Sequence, residues 1–498
     1  MRVGSGRVEA PRRVDAVAVL RAAGAVVLFA LAALLAVRAA FYVSLTRGLI
    51  RWPHEIVVGE ATMLSESDRL GRNLLDGLRT LYGPQQPGRF VAGNYPPLYV
   101  ALWALKPGPA AFPTGRALSV LGGLVAAVGG GIAAYAVAGG PRRLRVGVAV
   151  LGGAAFICTV PVMQELAVAK PDMVALGCAA CGLAWFEARP GRRGTVLAGL
   201  CFALTLLAKQ SMVFGLAAAG IAALRRGPRA LLTLVLTVAL AVGAVIGALW
   251  LIAGPAIFEH LIVYNMRLWH ADATFASLNR KMWQYHWPLL LPALAYGAWG
   301  VVKRPRSALT YYPFVTLATM LMVGSEGAYR YYFIPLCLAA GLGTALGLGA
   351  LLEARPAAAL LPAAVLFALL GLYTWRAYTY FTPANFVPGP PAETGGERNR
   401  ILAAVDAAPE PVLAEEVGYQ AIRGRQPVID DPYLAQILLR YGRWDDTAIV
   451  AGLREHRYTL VVVKPADDAL LRQRWGDAFV DALYANYRQS EPQVYRPK

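Results

Sequence analysis

The chain has 498 residues, of which 57% are hydrophobic and 16% charged, with a net charge of +18, and a mean hydropathy of +0.47. That composition excludes an ordinary multidomain soluble protein and points to a chain solvated mostly by lipid. The basic residues punctuate gaps between apolar runs rather than forming one patch with interleaved aromatics, so nucleic acid is not an expected partner; from Phe381 onward 14 basic residues meet 16 acidic ones, which leaves the whole excess in the apolar part.

At the N-terminus, Arg2, Arg7, Arg12 and Arg13 precede an apolar run over 14–43. It is too long for a signal peptide and has no convincing cleavage site, so the expectation is an uncleaved first helix. A crossing helix needs about 20 residues for roughly 30 Å of hydrocarbon. On that measure apolar segments fall at 16–43, 114–139, 146–162, 171–188, 195–208, 211–224, 230–254, 287–302, 308–323, 331–352 and 357–377, eleven in all. Simple alternation puts the N-terminal arginines, Arg142, Arg143, Arg145, Arg189, Arg192, Arg193, Arg225, Arg226, Arg229, Lys303, Arg304 and Arg306 on one side, the cytoplasmic one. The opposite side then carries the loops 44–113, 163–170, 209–210, 255–286 and 324–330 and the whole tail. The expected location is the inner (cytoplasmic) membrane, multi-pass, with the N-terminus inside and the tail outside.

Within this scheme 195–208 and 211–224 are too short to reach the far surface fully, yet arginines flank both on the same side. The chain must turn back at Lys209-Gln210, below the outer surface, where a lysine either snorkels or meets an anion. The five cysteines all lie in apolar segments, and Cys178 with Cys181 reads as two small residues on one helix face rather than a metal or redox pair.

The first outer loop, 44–113, is long for a helix connection. It holds Pro53-His-Glu-Ile-Val-Val-Gly-Glu60, an amphipathic stretch over 65–81, and an apolar run over 94–105 opened by two prolines, expected to lie along the surface. A Pro- and Gly-rich linker at 381–397 separates the membrane domain, 1–380, from a small α/β domain, 398–498. In it Pro411–Glu415 and Tyr458–Val463 read as buried strands, with helical patterns at 398–408, 433–440, 446–456 and 467–483.

Carboxylates are nearly absent from the middle of the apolar segments, which argues against an ion-coupled transporter. Acids sit instead at predicted outer ends, Glu55, Glu60, Glu165, Asp172 and Glu326, accompanied by Lys170, Lys209 and Arg330. That placement supports glycosyl transfer from a polyprenyl-phosphate sugar at the outer interface. A carboxylate takes the proton of the attacking hydroxyl, and cations neutralise the leaving phosphate.

Pro53–Glu60, Asn94-Tyr-Pro-Pro-Leu-Tyr99, Arg116, Lys170-Pro-Asp172, Leu207-Ala-Lys-Gln-Ser211 and Glu326-Gly-Ala-Tyr-Arg-Tyr-Tyr332, in that order, resemble the membrane glycosyltransferases of the C-type (GT-C) fold. These include bacterial relatives of protein O-mannosyltransferases and of the lipid A aminoarabinose transferase. The resemblance implies an α-helical polytopic protein with a small C-terminal extracytoplasmic α/β domain. It also implies an inverting enzyme with a lipid-phosphate donor and a glycan, lipid or protein acceptor. The catalytic acid falls first to Glu60 and second to Glu55; Asn94, Tyr95, Lys170, Asp172, Lys209, Gln210, Glu326, Arg330 and Tyr332 become candidate substrate contacts. The chain departs from the pattern in one respect: many relatives have a contiguous Asp-Glu pair where this one has Gly59-Glu60.

Plainer readings stand beside these. Glu60 and Asp172 each suit the first turn of a helix; Glu326 and Arg330 can pair with each other; Tyr329, Tyr331 and Tyr332 suit an interfacial belt. His54 beside Glu55 is too little for zinc, so no cofactor is assigned, although a divalent cation is compatible with the resemblance. Glu415-Glu416 and Asp430-Asp431 read as loop or cap residues. A flippase for lipid-linked saccharides, or a non-catalytic assembly protein, would share the size and topology.

Overall fold

The computed structural model describes residues 16–57, 59–105, 111–354, 361–366, 368–369, 371–372, 392–464 and 467–498. The N-terminal arginines and the predicted linker up to residue 391 lie outside them, as does much of the eleventh segment, of which 361–366, 368–369 and 371–372 are helical.

Helix α1 (Ala16–Arg51) carries the first apolar run well past its predicted end. The first outer loop folds into α2 (Glu60–Arg72), α3 (Leu74–Tyr82) and α4 (Leu98–Ala104). The predicted amphipathic stretch is thus two helices, broken at Asn73, whose side chain caps α3 by accepting from Asp76 N. Next come α5 (Phe112–Val137), α6 (Arg142–Ile157), α7 (Val160–Glu165), α8 (Asp172–Ala188), α9 (Arg192–Ala208), α10 (Phe214–Arg226) and α11 (Pro228–Ala253). After α12 (Ile257–Leu261) follow α13 (Ala273–Lys303), α14 (Ala308–Thr316), α15 (Thr319–Met322) and α16 (Ile334–Ala354).

Of the eleven expected segments, four stand out as spans by helix length and composition. Among the described residues only four helices, within 22–51, 112–137, 228–253 and 330–354, are long and apolar enough to cross a membrane on that basis alone. The others are shorter, interrupted or more polar: α9 and α10 have 17 and 13 residues, and α13 carries Asn279, Arg280, Lys281 and His286 in its first half.

Two ends of the bundle are defined by contacts between loops. At one, Arg226 reaches Phe186 O, Arg306 O and Glu187, while Ser307 and Ala308 bond Glu187 and Arg304 bonds Val137 O. These are the basic loops that alternation placed together. At the other end meet the segment after α1, the starts of α5 and α8, the α9–α10 turn and residues 330–332. Helices α5 and α8 run parallel with small residues between them. A Cβ on Gly177 would stand 2.7 Å from Gly122 O, so the backbones nearly touch. This close approach sets Arg116 of α5 beside Ala169 and Asp172 at the start of α8.

The C-terminal α/β region comprises α17 (Ala392–Ala407), β1 (Val412–Ala414), α18 (Gly418–Ala421), α19 (Pro432–Arg440), α20 (Thr447–Arg454), β2 (Leu460–Val462), α21 (Asp468–Trp475), α22 (Asp477–Asn486), β3 (Tyr487–Glu491) and β4 (Val494–Pro497). The sheet order is β1-β2-β4-β3, with β1 and β2 parallel and the hairpin β3–β4 antiparallel. Three features differ from expectation. Helix α17 starts inside the predicted linker. The single helix expected over 467–483 breaks at Gly476, whose φ of 80° ends α21. The hairpin has no sequence counterpart because β3 is largely polar and exposed.

Candidate functional site

Glu60 opens α2 and is fully buried, as is Arg116. The guanidinium grips the carboxylate with Nε to Oε1 at 3.0 Å and Nη2 to Oε2 at 2.7 Å. Ile56 N donates to Oε2 and Ala169 N to Oε1, each at 2.7 Å. Arg116 also donates to the carbonyls of Leu49, Trp52 and His54. Four donors therefore occupy the carboxylate, and no lone pair is left to take a proton from a substrate hydroxyl. In this geometry Glu60 joins α1, the first loop, α5 and residue 169.

Glu55 is different. Its Oε1 accepts from Gly59 N (2.9 Å) and Ala61 N (3.3 Å), capping α2, while Oε2 lies against Gly418 of the C-terminal region. Burial, then the neighbouring Glu60 charge, push its carboxyl up to about 7. Gly59, at φ 99°, has no side chain where one would meet Lys170: a Cβ there would stand 3.5 Å from Lys170 Cε.

The cations gather on a tyrosine cage. Lys209, buried at the turn between α9 and α10, places Nζ 4.6 Å from the Tyr331 ring, 5.3 Å from Tyr332 and 5.6 Å from Tyr95. Its charge is balanced by Asp172 at the start of α8, 2.6 Å away. Lys170 Nζ lies 5.2 Å from the Tyr331 ring. Among the described residues it has no carboxylate within 4 Å, and neither has Arg267, which acts electrostatically on Tyr95, Tyr331 and Tyr332. The cage thus holds two cations outside any close ion pair, in the field of Glu165 and Asp431, and an anion would add to their balance.

Asn94 and Gln210 are tied together, with Gln210 Nε2 and Asn265 Nδ2 both donating to Asn94 O (2.9 and 2.8 Å). Asn94 Oδ1 and Gln210 Oε1 are buried with no hydrogen-bond partner among the described residues. Glu326 and Arg330 do not pair with each other. Arg330 bonds Glu165 at 3.3 Å, whereas the Glu326 carboxylate binds Arg440 and Tyr441 of the C-terminal region and its carbonyl accepts from Arg267 Nη1 at 3.3 Å. Asp430 forms a buried pair with Arg69 at 2.6 Å, and Asp431 caps α19 through Leu434 N. Among the described residues no group of three or more His, Cys, Asp or Glu side chains stands ready to hold a metal ion.

Arg267 escaped the sequence reading. Its signal is a cation in the outer loop 255–286, on the side where the charge rule expects few.

This architecture is a helical multi-pass membrane-type bundle with an elaborate first loop and a small C-terminal α/β region. Two solved structures of ArnT from Cupriavidus metallidurans share it. The one bound to undecaprenyl phosphate superposes with a TM-score of 0.57 at 14% identity, and the apo one with 0.58 at 14%; each match covers 92% of this chain and 94% of that one. The apo oligosaccharyltransferase of Archaeoglobus fulgidus matches with a TM-score of 0.52 at 15% identity, over 94% of this chain and 74% of that one. No family model and no curated protein matches the chain. At these identities the likeness is one of fold.

Proposed function

We propose that the protein is an inverting glycosyltransferase that moves a sugar from a polyprenyl-phosphate donor to an acceptor hydroxyl at the outer face of the cytoplasmic membrane. The observation that carries this reading is the tyrosine cage with Lys170 and Arg267 outside any ion pair among the described residues, beside the paired Lys209, in a fold shared with an ArnT structure bound to undecaprenyl phosphate. Lys170, Arg267 and Lys209 hold the phosphate and take up the charge that develops on it as the glycosidic bond breaks. Asn94 Oδ1 and Gln210 Oε1 accept from sugar hydroxyls.

Glu55 is the base in this scheme. It is bonded to the amide of Gly59, where many members of the family the sequence resembles have the first acid of an Asp-Glu pair, and among the described residues its Oε2 accepts no hydrogen bond. The acceptor hydroxyl attacks the anomeric carbon, its proton passes to Glu55, and polyprenyl phosphate leaves. Glu60 acts as a strut. The test is transfer of radiolabelled sugar from undecaprenyl phosphate by proteoliposomes of the wild type and of Glu55→Gln. Donor consumed by the wild type and spared by the variant supports the reading; sugar crossing the bilayer with the donor intact would replace it with a flippase.

A further inference from the structure

An open groove of about 560 Å³ runs along the outside of the bundle between α5 and α8, lined by residues within 121–132 and 181–189. Its floor is made of small residues, Gly129 and Ala184, both buried, because the two helices pack backbone to backbone there: a Cβ on Gly129 would stand 3.0 Å from Ala180 C. Its sides are the exposed Val128 and Trp185. At the rise of a helix the α5 side extends about 16 Å, close to half the thickness of a bilayer's hydrocarbon, and α5 is one of the helices able to span it. The groove is therefore about as long as one leaflet is deep, and in a membrane a hydrocarbon chain fills it.

Arg189, the last residue of the α8 side, lies at the end of the bundle that carries the basic loops. Other cations at this end are spent on the protein. Arg226 reaches Glu187 and the carbonyls of Phe186 and Arg306, Arg304 bonds Val137 O, and Arg145 bonds Tyr135 O and stacks on its ring. Among the described residues the side chain of Arg189 makes no hydrogen bond or ion pair, and those of Arg192 and Arg193 make none either. Lipid tails are as apolar as the groove, so fit alone does not discriminate between lipids. The headgroup does: a zwitterionic one brings its own ammonium, whereas an anionic one leaves its phosphate charge for the arginines, which favours it by about five-fold for each cation near the surface.

We propose that the groove is a binding site for one anionic phospholipid of the leaflet facing the basic loops, with an acyl chain along Val128 and Trp185 and the phosphate on Arg189. Arg192 and Arg193 flank the headgroup. A chain seated there braces the α5–α8 contact that sets Arg116 beside Asp172. Occupancy does not depend on the reaction performed at the other end of the bundle.

Native mass spectrometry of the full-length protein, released from detergent with equal amounts of phosphatidylglycerol and phosphatidylcholine, tests the site without any enzyme assay. The wild type should retain one phosphatidylglycerol, preferred by about ten-fold or more. Arg189→Gln should cut that preference by about five-fold, while Arg225→Gln, an exposed arginine at the same end of the bundle but outside the groove, should leave it as it is. Val128→Trp fills the groove from its exposed side and should abolish the retained lipid with an unchanged gel-filtration profile; if that variant does not fold, the two arginine variants decide. No retained lipid, equal retention of the two lipids by the wild type, or a preserved adduct in folded Val128→Trp overturns the proposal. Equal effects of Arg189→Gln and Arg225→Gln also overturn it, in favour of a diffuse surface charge. Displacement of phosphatidylglycerol by undecaprenyl phosphate would assign the groove to a donor tail instead.

Discussion

Arg116 and Glu60, distant in sequence and both without solvent exposure, form a two-pronged ion pair whose remaining hydrogen bonds all go to the backbone of the first loop and residue 169. A buried pair of this kind is weak evidence for net stability but expensive to break on one side. Its place here is to bring the acid-bearing loop to the end of the bundle where the lysines lie.

Replacing Glu60 with Gln should therefore lower stability by about 3–5 kcal/mol, since Arg116 keeps a buried, uncompensated charge. Thermal unfolding in detergent would show the loss, and the folded fraction should retain turnover within a few-fold. An unchanged melting temperature with turnover abolished would return the base role to Glu60.

Glu55→Gln should behave in the opposite way. Turnover falls by about 10²–10⁴-fold, the range for a positioned general base, while donor binding stays as in the wild type. Steady-state kinetics beside undecaprenyl phosphate binding would separate the two effects.

Activity should also carry an acid limb set by Glu55. A base works only when ionised, and its carboxyl is raised to about 7 by burial and by Glu60. The rate at low donor concentration should climb about ten-fold per pH unit below that value and level off above it. An acid limb near the ordinary carboxylate range would argue against Glu55.

The two lysines should separate cleanly. Among the described residues Lys170 makes no ion pair, so Lys170→Met should weaken undecaprenyl phosphate binding by about ten-fold or more with little change in stability. Lys209→Met leaves Asp172 buried and alone, so stability should fall by about 3–5 kcal/mol, and Asp172→Leu in the same chain should recover it without restoring binding. Equal behaviour of the two lysines in binding and melting assays would contradict the cage.

Gly177→Leu should prevent assembly of the bundle, because even a Cβ would collide with Gly122 O. Gly220→Leu is the matched control, with open space around its position and ordinary backbone. Expression and gel filtration in detergent distinguish them.

Much of this molecule follows from local signals. Apolar runs locate most of the helices; the basic residues between them anticipate one end of the bundle, where Arg226, Arg304 and Glu187 meet. The short hairpin places Lys209 where the structure puts it, at a turn inside the protein. The runs near 412 and 460 announce the parallel strands of the C-terminal region.

Partnership is what the chain alone left open. The sequence reading put Glu60 ahead of Glu55; only the approach of α5 and residue 169 gives Glu60 its four donors, while among the described residues Glu55 accepts through Oε1 alone. Glu326 and Arg330, four residues apart, each find a partner elsewhere because residue 440 and residue 165 arrive from distant elements. Arg267 joins the cage from a loop with no local pattern to mark it. Hydropathy and charge act over a helix turn or a membrane thickness, so they determined which segments are buried and which end of the bundle each loop reaches. Which side chain neutralises which is decided by contacts of a few ångströms between residues far apart in sequence, and those exist only once the helices have packed.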